Sequence, residues 1–214
     1  SRELDQTQAH APCPRRLGLY VVAPTADWIA RLVDLGVPTV QLRFKSEDPK
    51  AIEREVQLAI GHAQGSDSHL YINDHWQLAI ALGAYGIHLG QEDIGGADFD
   101  AIRQSGLRLG LSTHGYSEML QAARQQPSYL ALGAVYATNL KVRPTLPQGP
   151  MRLARYASLV RDRFPLVAIG GINYERLDEV LPSGVGSVAA VRAILDAPDP
   201  AKEVQRWMRR CPAS

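Results

Sequence analysis

The chain of 214 residues is short of several things, and each shortage excludes a class of function. It has only two cysteines, Cys13 and Cys211, near opposite ends, with no CxxC pair and no Cys/His cluster. Neither a zinc site nor a disulfide framework is therefore indicated. It has no excess of one charge: 23 Lys and Arg against 22 Asp and Glu leave a formal +1. A nucleic-acid-coating or membrane-surface protein needs a stronger basic balance, although a local basic pocket stays open. No apolar run reaches membrane-spanning length and no charged-then-apolar leader opens the chain, so a cytoplasmic protein is expected. A glycine-rich dinucleotide fingerprint is also missing, because the first strand-like run leads into YVVAPTADW.

What is present is a rhythm. Residues 1–16 are polar, carry two prolines and begin without Met, which is expected of a disordered segment or linker with no core role. From residue 17, short β-branched runs alternate with helical patterns: LGLYVV with TADWIARLVDLG, TVQLRF with DPKAIEREVQLAIGHAQ, HLYIND with HWQLAIALGA, and onward to VGSVAAV with PAKEVQRWMRR. Strands separated by helices pair in parallel and are buried on both faces. Eight such units fit an α/β fold, a single (β/α)8 TIM barrel over residues 17–210, with an open doubly wound sheet as the alternative. A barrel gathers its functional groups at the C-terminal ends of its strands.

The stretch YINDHWQLAIALGAYGIHLGQED places Asp74 after the third strand and Asp93 after the fourth. If both reach one pocket, like charges about 4 Å apart repel by roughly 4 kcal/mol at an effective dielectric near 20, so the pair needs a cation or a shared proton. Mg²⁺ suits two carboxylates, its shell completed by water and substrate phosphate oxygens. The competing reading makes Asp74 the N-cap of a helix starting at His75 and Asp93 a plain loop residue.

Other strand ends supply the groups an anion needs. In QLRFK, period-two alternation sends Gln41, Arg43 and Lys45 to one side, where Arg offers a planar fork and Lys a compact charge for diphosphate. Asn73 can donate to a phosphate oxygen, as can Ser112 in LSTH, which also carries His114 to the rim; a nucleophilic role for Ser112 has no support in the order of residues. The loop ATNLKVRPTLPQG brings Thr138, Lys141 and Arg143, and AIGGI offers the backbone of Gly170 and Gly171 to an anion. His75 and His88 are lone histidines without ligand spacing and are given no role.

These blocks, QLRFK, INDHWQLAIALGAYGIHLGQED, GLSTH, YLALGAVYATNLK, AIGGI and GVGSVAAVRAI, resemble the thiamine phosphate synthase family in order and spacing from about residue 16 to residue 195. The resemblance implies a transferase that joins 4-amino-2-methyl-5-hydroxymethylpyrimidine diphosphate to thiazole phosphate, giving thiamine phosphate and diphosphate. It implies that Gln41, Leu42, Arg43, Phe44, Lys45, Asn73, Ser112 and Lys141 bind the pyrimidine diphosphate, and that Asp74 and Asp93 hold Mg²⁺ as the cofactor. Arg43, Lys45, Lys141 and Ser112 carry the catalytic assignment. It places the thiazole phosphate against Thr138, Asn139, Leu140, Gly171, Val191 and Arg192. Two positions depart from the pattern: Leu140 stands where the family has a threonine, and Arg192 where it has a serine. A thiazole tautomerase-like relative and a noncatalytic phosphate-ligand barrel are the alternatives. The partners expected are small-molecule substrates, with no nucleic acid and no membrane; homo-oligomerisation is left open.

Overall fold

A computed structural model describes residues 8–138 and 146–214. Its frame is a closed barrel of eight parallel strands in chain order: β1 (Gly18–Ala23), β2 (Thr39–Leu42), β3 (His69–Asn73), β4 (Gly86–Leu89), β5 (Arg108–Thr113), β6 (Tyr129–Leu132), β7 (Leu166–Ala168) and β8 (Ser187–Ala190). β8 returns to β1 with Gly18 opposite Ser187 and Val21 opposite Ala190, so no edge is left unpaired. Helices follow the strands, as the sequence rhythm predicts. Their starts are chemically marked: Asp48 and Asp199 each precede a proline and accept the backbone N–H of Lys50 and Lys202 respectively. A proline at the first helical position gives up no hydrogen bond, and the aspartate satisfies an N–H that would otherwise lack a partner.

Alternation along each strand builds two cores. Leu19 and Val21 of β1 join Val40 and Leu42 of β2 in the layer between barrel and helices. Tyr20 and Val22 point the other way, into a barrel interior shared with Tyr71, Tyr129, Ala131, Val167 and Ala189. The Tyr71 and Tyr129 rings fit there because the neighbouring strand of each carries glycine at the paired position. A Cβ on Gly86 would stand 2.6 Å from the Tyr71 ring, and one on Gly110 would stand 2.0 Å from Tyr129 Cζ. The interior below the C-terminal mouth thus holds three aromatic rings beside its aliphatic side chains.

The N-terminal segment departs from its expectation over residues 8–16. His10 is buried, donating from Nδ1 to the Gln125 carbonyl at 3.0 Å while its own N–H reaches the Gln126 carbonyl at 3.0 Å. Ser128 Oγ donates to the Ala11 carbonyl at 2.5 Å, the Cys13 thiol to the Ser128 carbonyl at 3.2 Å, and Arg108 Nε to the Pro12 carbonyl at 3.2 Å. Cys13 packs against the interior tyrosine cluster, and burial pushes its thiol up to about 11. The prolines that suggested a linker hold a strap extended across the starts of β5 and β6, where main-chain carbonyls bind it. Among the described residues, no helix is long and apolar enough to cross a membrane.

Candidate active site

A cavity of about 730 Å³ opens at the C-terminal ends of the strands. Of the residues singled out from sequence, Gln41, Arg43, Lys45, Asn73, Ser112, Thr138, Gly171, Val191 and Arg192 line it. Leu42 and Phe44 do not: the alternation that turns Gln41 and Arg43 inward packs Leu42 and Phe44 into the layer beneath the helices. Asn139, Leu140, Lys141 and Arg143 lie outside the described residues.

Asp74 and Asp93 stand beside this cavity, next in sequence to its lining residues Asn73 and Glu92. The backbone of Asp74 is left-handed, with φ +69°, an uncommon state for a residue with a side chain. Its N–H donates to the His88 carbonyl of β4 at 3.0 Å and its carbonyl accepts from Trp76 at 2.7 Å, so the turn is fixed from both sides. The helix that follows is Trp76–Ala81, with His75 at its N-cap position and no side-chain cap. Asp74 therefore does no capping, and the reading of it as an N-cap falls away.

Asp93 sits in a single helical turn, Gln91–Ile94, after β4, with Oδ2 accepting the Gly90 N–H at 3.3 Å. Its carboxyl is pushed up to about 6, first by partial burial, then by a hydrogen bond and charge repulsion from Asp74; Glu92 adds to the rise, and the Gly90 N–H works against it. The two carboxyls thus lie close together. A carboxyl raised in this way is what two oxygen-donor groups held close without a counter-charge produce. Their donor chemistry fits a hard divalent cation, since Mg²⁺ takes one or two carboxylates and fills its remaining positions with water and phosphate oxygens. Among the described residues, no cluster of three or more His, Cys, Asp or Glu has metal-binding geometry, so a cation here draws its other ligands from substrate or water.

The cations are arranged around that pair. Lys45 Nζ lies 3.5 Å from Asn73 Oδ1, which bridges β2 to the turn carrying Asp74. Arg43 and Arg192 line the cavity, and among the described residues neither side chain has a hydrogen-bond or ion-pair partner. Arg192 begins a helix of only four residues, Arg192–Leu195. One turn aligns few peptide dipoles, so the guanidinium rather than the helix end is the main positive charge at this point of the wall.

On the opposite wall the turn after β7 has Gly170 at φ +110° and Gly171 at φ +63°. A Cβ on Gly171 would meet the Ala137 carbonyl oxygen at 2.6 Å, so only glycine lets this turn sit against the segment that follows β6. Arg176 secures it by donating from Nη1 to the Gly171 carbonyl, while its guanidinium lies 4.2 Å above the Tyr136 ring. Tyr136 in turn donates its hydroxyl to Glu179 at 2.5 Å.

Sequence reasoning missed one feature of the site. His88, given no role, is 5% exposed and lines the cavity floor, with Nδ1 2.7 Å from the Tyr129 hydroxyl and Nε2 2.7 Å from Ser112 Oγ. Its inward direction was legible from alternation with Gly86 and Gly90, but its partners stand on other strands. His114, at the rim, is instead paired with Glu118 at 2.9 Å.

Residues 19–194 match a family model described as thiamine monophosphate synthase. A thiamine-phosphate synthase of Cronobacter sakazakii is 49% identical over 202 residues, which span 94% of this chain and 96% of the relative. A thiamine-phosphate synthase of Neisseria gonorrhoeae is 47% identical over 196 residues, spanning 92% and 95%. Among solved structures, a thiamine phosphate pyrophosphorylase from Pyrococcus furiosus superposes with a TM-score of 0.79 at 26% identity, covering 92% of this chain and 96% of that one.

Proposed function

This chain belongs to the thiamine monophosphate synthase family, and from that premise we propose that its cavity joins 4-amino-2-methyl-5-hydroxymethylpyrimidine diphosphate to thiazole phosphate, releasing diphosphate. The observation that carries the reading is the meeting of Asp74 and Asp93 beside a wall holding Arg43, Lys45 and Asn73. A cavity of about 730 Å³ gives room for two reactants at once.

On this reading Arg43, Lys45 and Asn73 receive the diphosphate, with Ser112 donating from the floor. Arg43 offers two parallel N–H donors to phosphate oxygens, and Lys45 one compact charge. Asp74 and Asp93 would hold Mg²⁺, which when bound supplies positive charge against the oxygens of the departing diphosphate. Breaking the C–O bond leaves a pyrimidine-methyl cation and moves negative charge onto the leaving group, where these side chains already point. No protein nucleophile is required. The thiazole ring nitrogen captures the cation, provided Gly171, Thr138 and Arg192 keep its phosphate anchored across the cavity. Holding both reactants in one pocket contributes by proximity, and few other groups are needed.

The diphosphate set also favours the synthase over a tautomerase-like relative, which has no use for two facing carboxylates beside Arg43 and Lys45. A crystal complex with Mg²⁺ and inorganic diphosphate tests the placement. The metal is expected between Asp74 and Asp93 with the diphosphate on Arg43 and Lys45; diphosphate seated elsewhere overturns it.

A further inference from the structure

Beneath the cavity runs a buried hydrogen-bond chain that crosses five strands. Gln41 Nε2 of β2 donates to the Tyr20 hydroxyl of β1 at 2.9 Å, Tyr20 meets the Tyr129 hydroxyl of β6 at 2.6 Å, Tyr129 meets His88 Nδ1 of β4 at 2.7 Å, and His88 Nε2 meets Ser112 Oγ of β5 at 2.7 Å. Tyr20 and Tyr129 are at most 2% exposed, Gln41 4% and His88 5%, so water does not stand in for any of these partners.

Proton counting gives such a chain a direction. Each phenol has one proton to donate, and an imidazole with one N–H donates at one nitrogen and accepts at the other. With the Gln41 amide donating at the foot, Tyr20 must give its proton to Tyr129 and Tyr129 must give its own to Nδ1. Nε2 then carries the ring proton and donates to Ser112 Oγ. The Ser112 proton is left over, at the top of the chain, in the cavity wall that Gln41, Arg43, Lys45 and Asn73 share. Reversing the amide would reverse every bond and leave Ser112 presenting only lone pairs, which repel an anion.

We propose that Tyr20, Tyr129 and His88 are positioning residues that set the polarity of Ser112, committing its hydroxyl to donate to the diphosphate rather than accept. Buried partners polarise one another along such a chain, so the donor is strengthened as well as aimed. The device rests on the reading that Ser112 faces the diphosphate. It also explains why polar atoms run through an interior that Val, Leu or Ile could fill: the barrel carries Gln41, His88 and two phenols to control one hydroxyl at the mouth.

The test reads the tautomer directly and the energetics separately. Nitrogen-15 NMR of the wild-type imidazoles, with the His88 signals identified by their loss in His88→Gln, is expected to show Nε2 protonated and Nδ1 unprotonated. The opposite tautomer overturns the proposal, and this reading needs no variant to keep its activity. In parallel, calorimetry with inorganic diphosphate and Mg²⁺ is run on wild type, Tyr129→Phe, Ser112→Ala and the double variant. Tyr129→Phe is expected to weaken binding about tenfold, or about 1.4 kcal/mol, and to have no further effect once Ser112 is alanine. A tenfold loss in both backgrounds makes Tyr129 merely structural, and no loss in either removes the relay. Wild type that binds no diphosphate contradicts the functional assignment instead, so the two failures are distinct.

Discussion

The carboxyl of Asp93, one βα unit further along the chain, lies within hydrogen-bonding reach of the carboxyl of Asp74. Asp74 is held toward it by a left-handed turn whose N–H is tied to the His88 carbonyl, and Asp93 by a single helical turn that starts at Gly90. Asp74 caps no helix, and Asp93 caps only the single turn it sits in, through the Gly90 N–H. The pair is costly as it stands, and on the proposed reading a divalent cation would offset that cost.

Asp93→Asn keeps the size and the Gly90 hydrogen bond but loses the charge. It is expected to fold normally, to weaken binding of Mg²⁺ with diphosphate by at least tenfold, and to lose most synthase activity. Isothermal calorimetry with inorganic diphosphate checks this. Unchanged binding in the variant removes Asp93 from the metal site.

The same pair sets a pH dependence. The folded value of Asp93, about 6, lies above that of an unfolded aspartate, near 3.9. The folded state therefore binds the extra proton, and this contribution is full below about pH 3.9 and is lost as pH rises through about 6. In metal-free protein, Asp93→Asn is accordingly expected to raise Tm at pH 7.5 more than at pH 4. Mg²⁺ affinity in wild type is expected to fall as pH drops below 6, since the cation competes with the proton on Asp93. Melting curves at both values and a titration across pH 5 to 8 measure the two effects.

Arg43→Lys preserves the charge on β2 and removes the fork. Its KM for the pyrimidine diphosphate is expected to rise about tenfold while that for thiazole phosphate stays near wild type, because only the former brings a diphosphate to this wall. Steady-state kinetics with each substrate varied in turn decide it. Wild-type behaviour rules out bidentate recognition.

Arg192 tests the family departure. It lines the cavity with no side-chain partner among the described residues, so on the proposed reading its guanidinium would meet the thiazole phosphate where the family resemblance leads one to expect a serine hydroxyl. A charge-assisted hydrogen bond contributes roughly 1.5 to 3 kcal/mol against about 1 for a neutral one. Arg192→Ala is expected to raise the KM for thiazole phosphate tenfold or more, and to leave that for the pyrimidine diphosphate nearly unchanged. Unaltered thiazole phosphate kinetics contradict the compensation.

What was legible in the sequence follows from range. The barrel and the inward side of QLRFK are period-two and period-βα signals, carried by residues near one another, and the strands appear where those signals put them. Applied to every residue of 41–45, the same alternation excludes Leu42 and Phe44 from the cavity as firmly as it admits Gln41 and Arg43. His88 escaped because histidine is screened by ligand spacing, whereas its function here depends on Tyr129 and Ser112, brought to it only by barrel closure. The strap at residues 8–16 escaped for a related reason. Its prolines and polar side chains look like a linker, and what holds it are the carbonyls of Gln125, Gln126 and Ser128 just before β6, with the side chains of Ser128 and Arg108.

The most direct test of the central claim is product formation by the purified wild type. With pyrimidine diphosphate, thiazole phosphate and Mg²⁺ all present, thiamine phosphate and diphosphate are expected to accumulate in equal amounts. Omitting either substrate, or chelating the metal, is expected to abolish both. Diphosphate release that needs no thiazole phosphate, or no thiamine phosphate from the complete mixture, would contradict the synthase assignment.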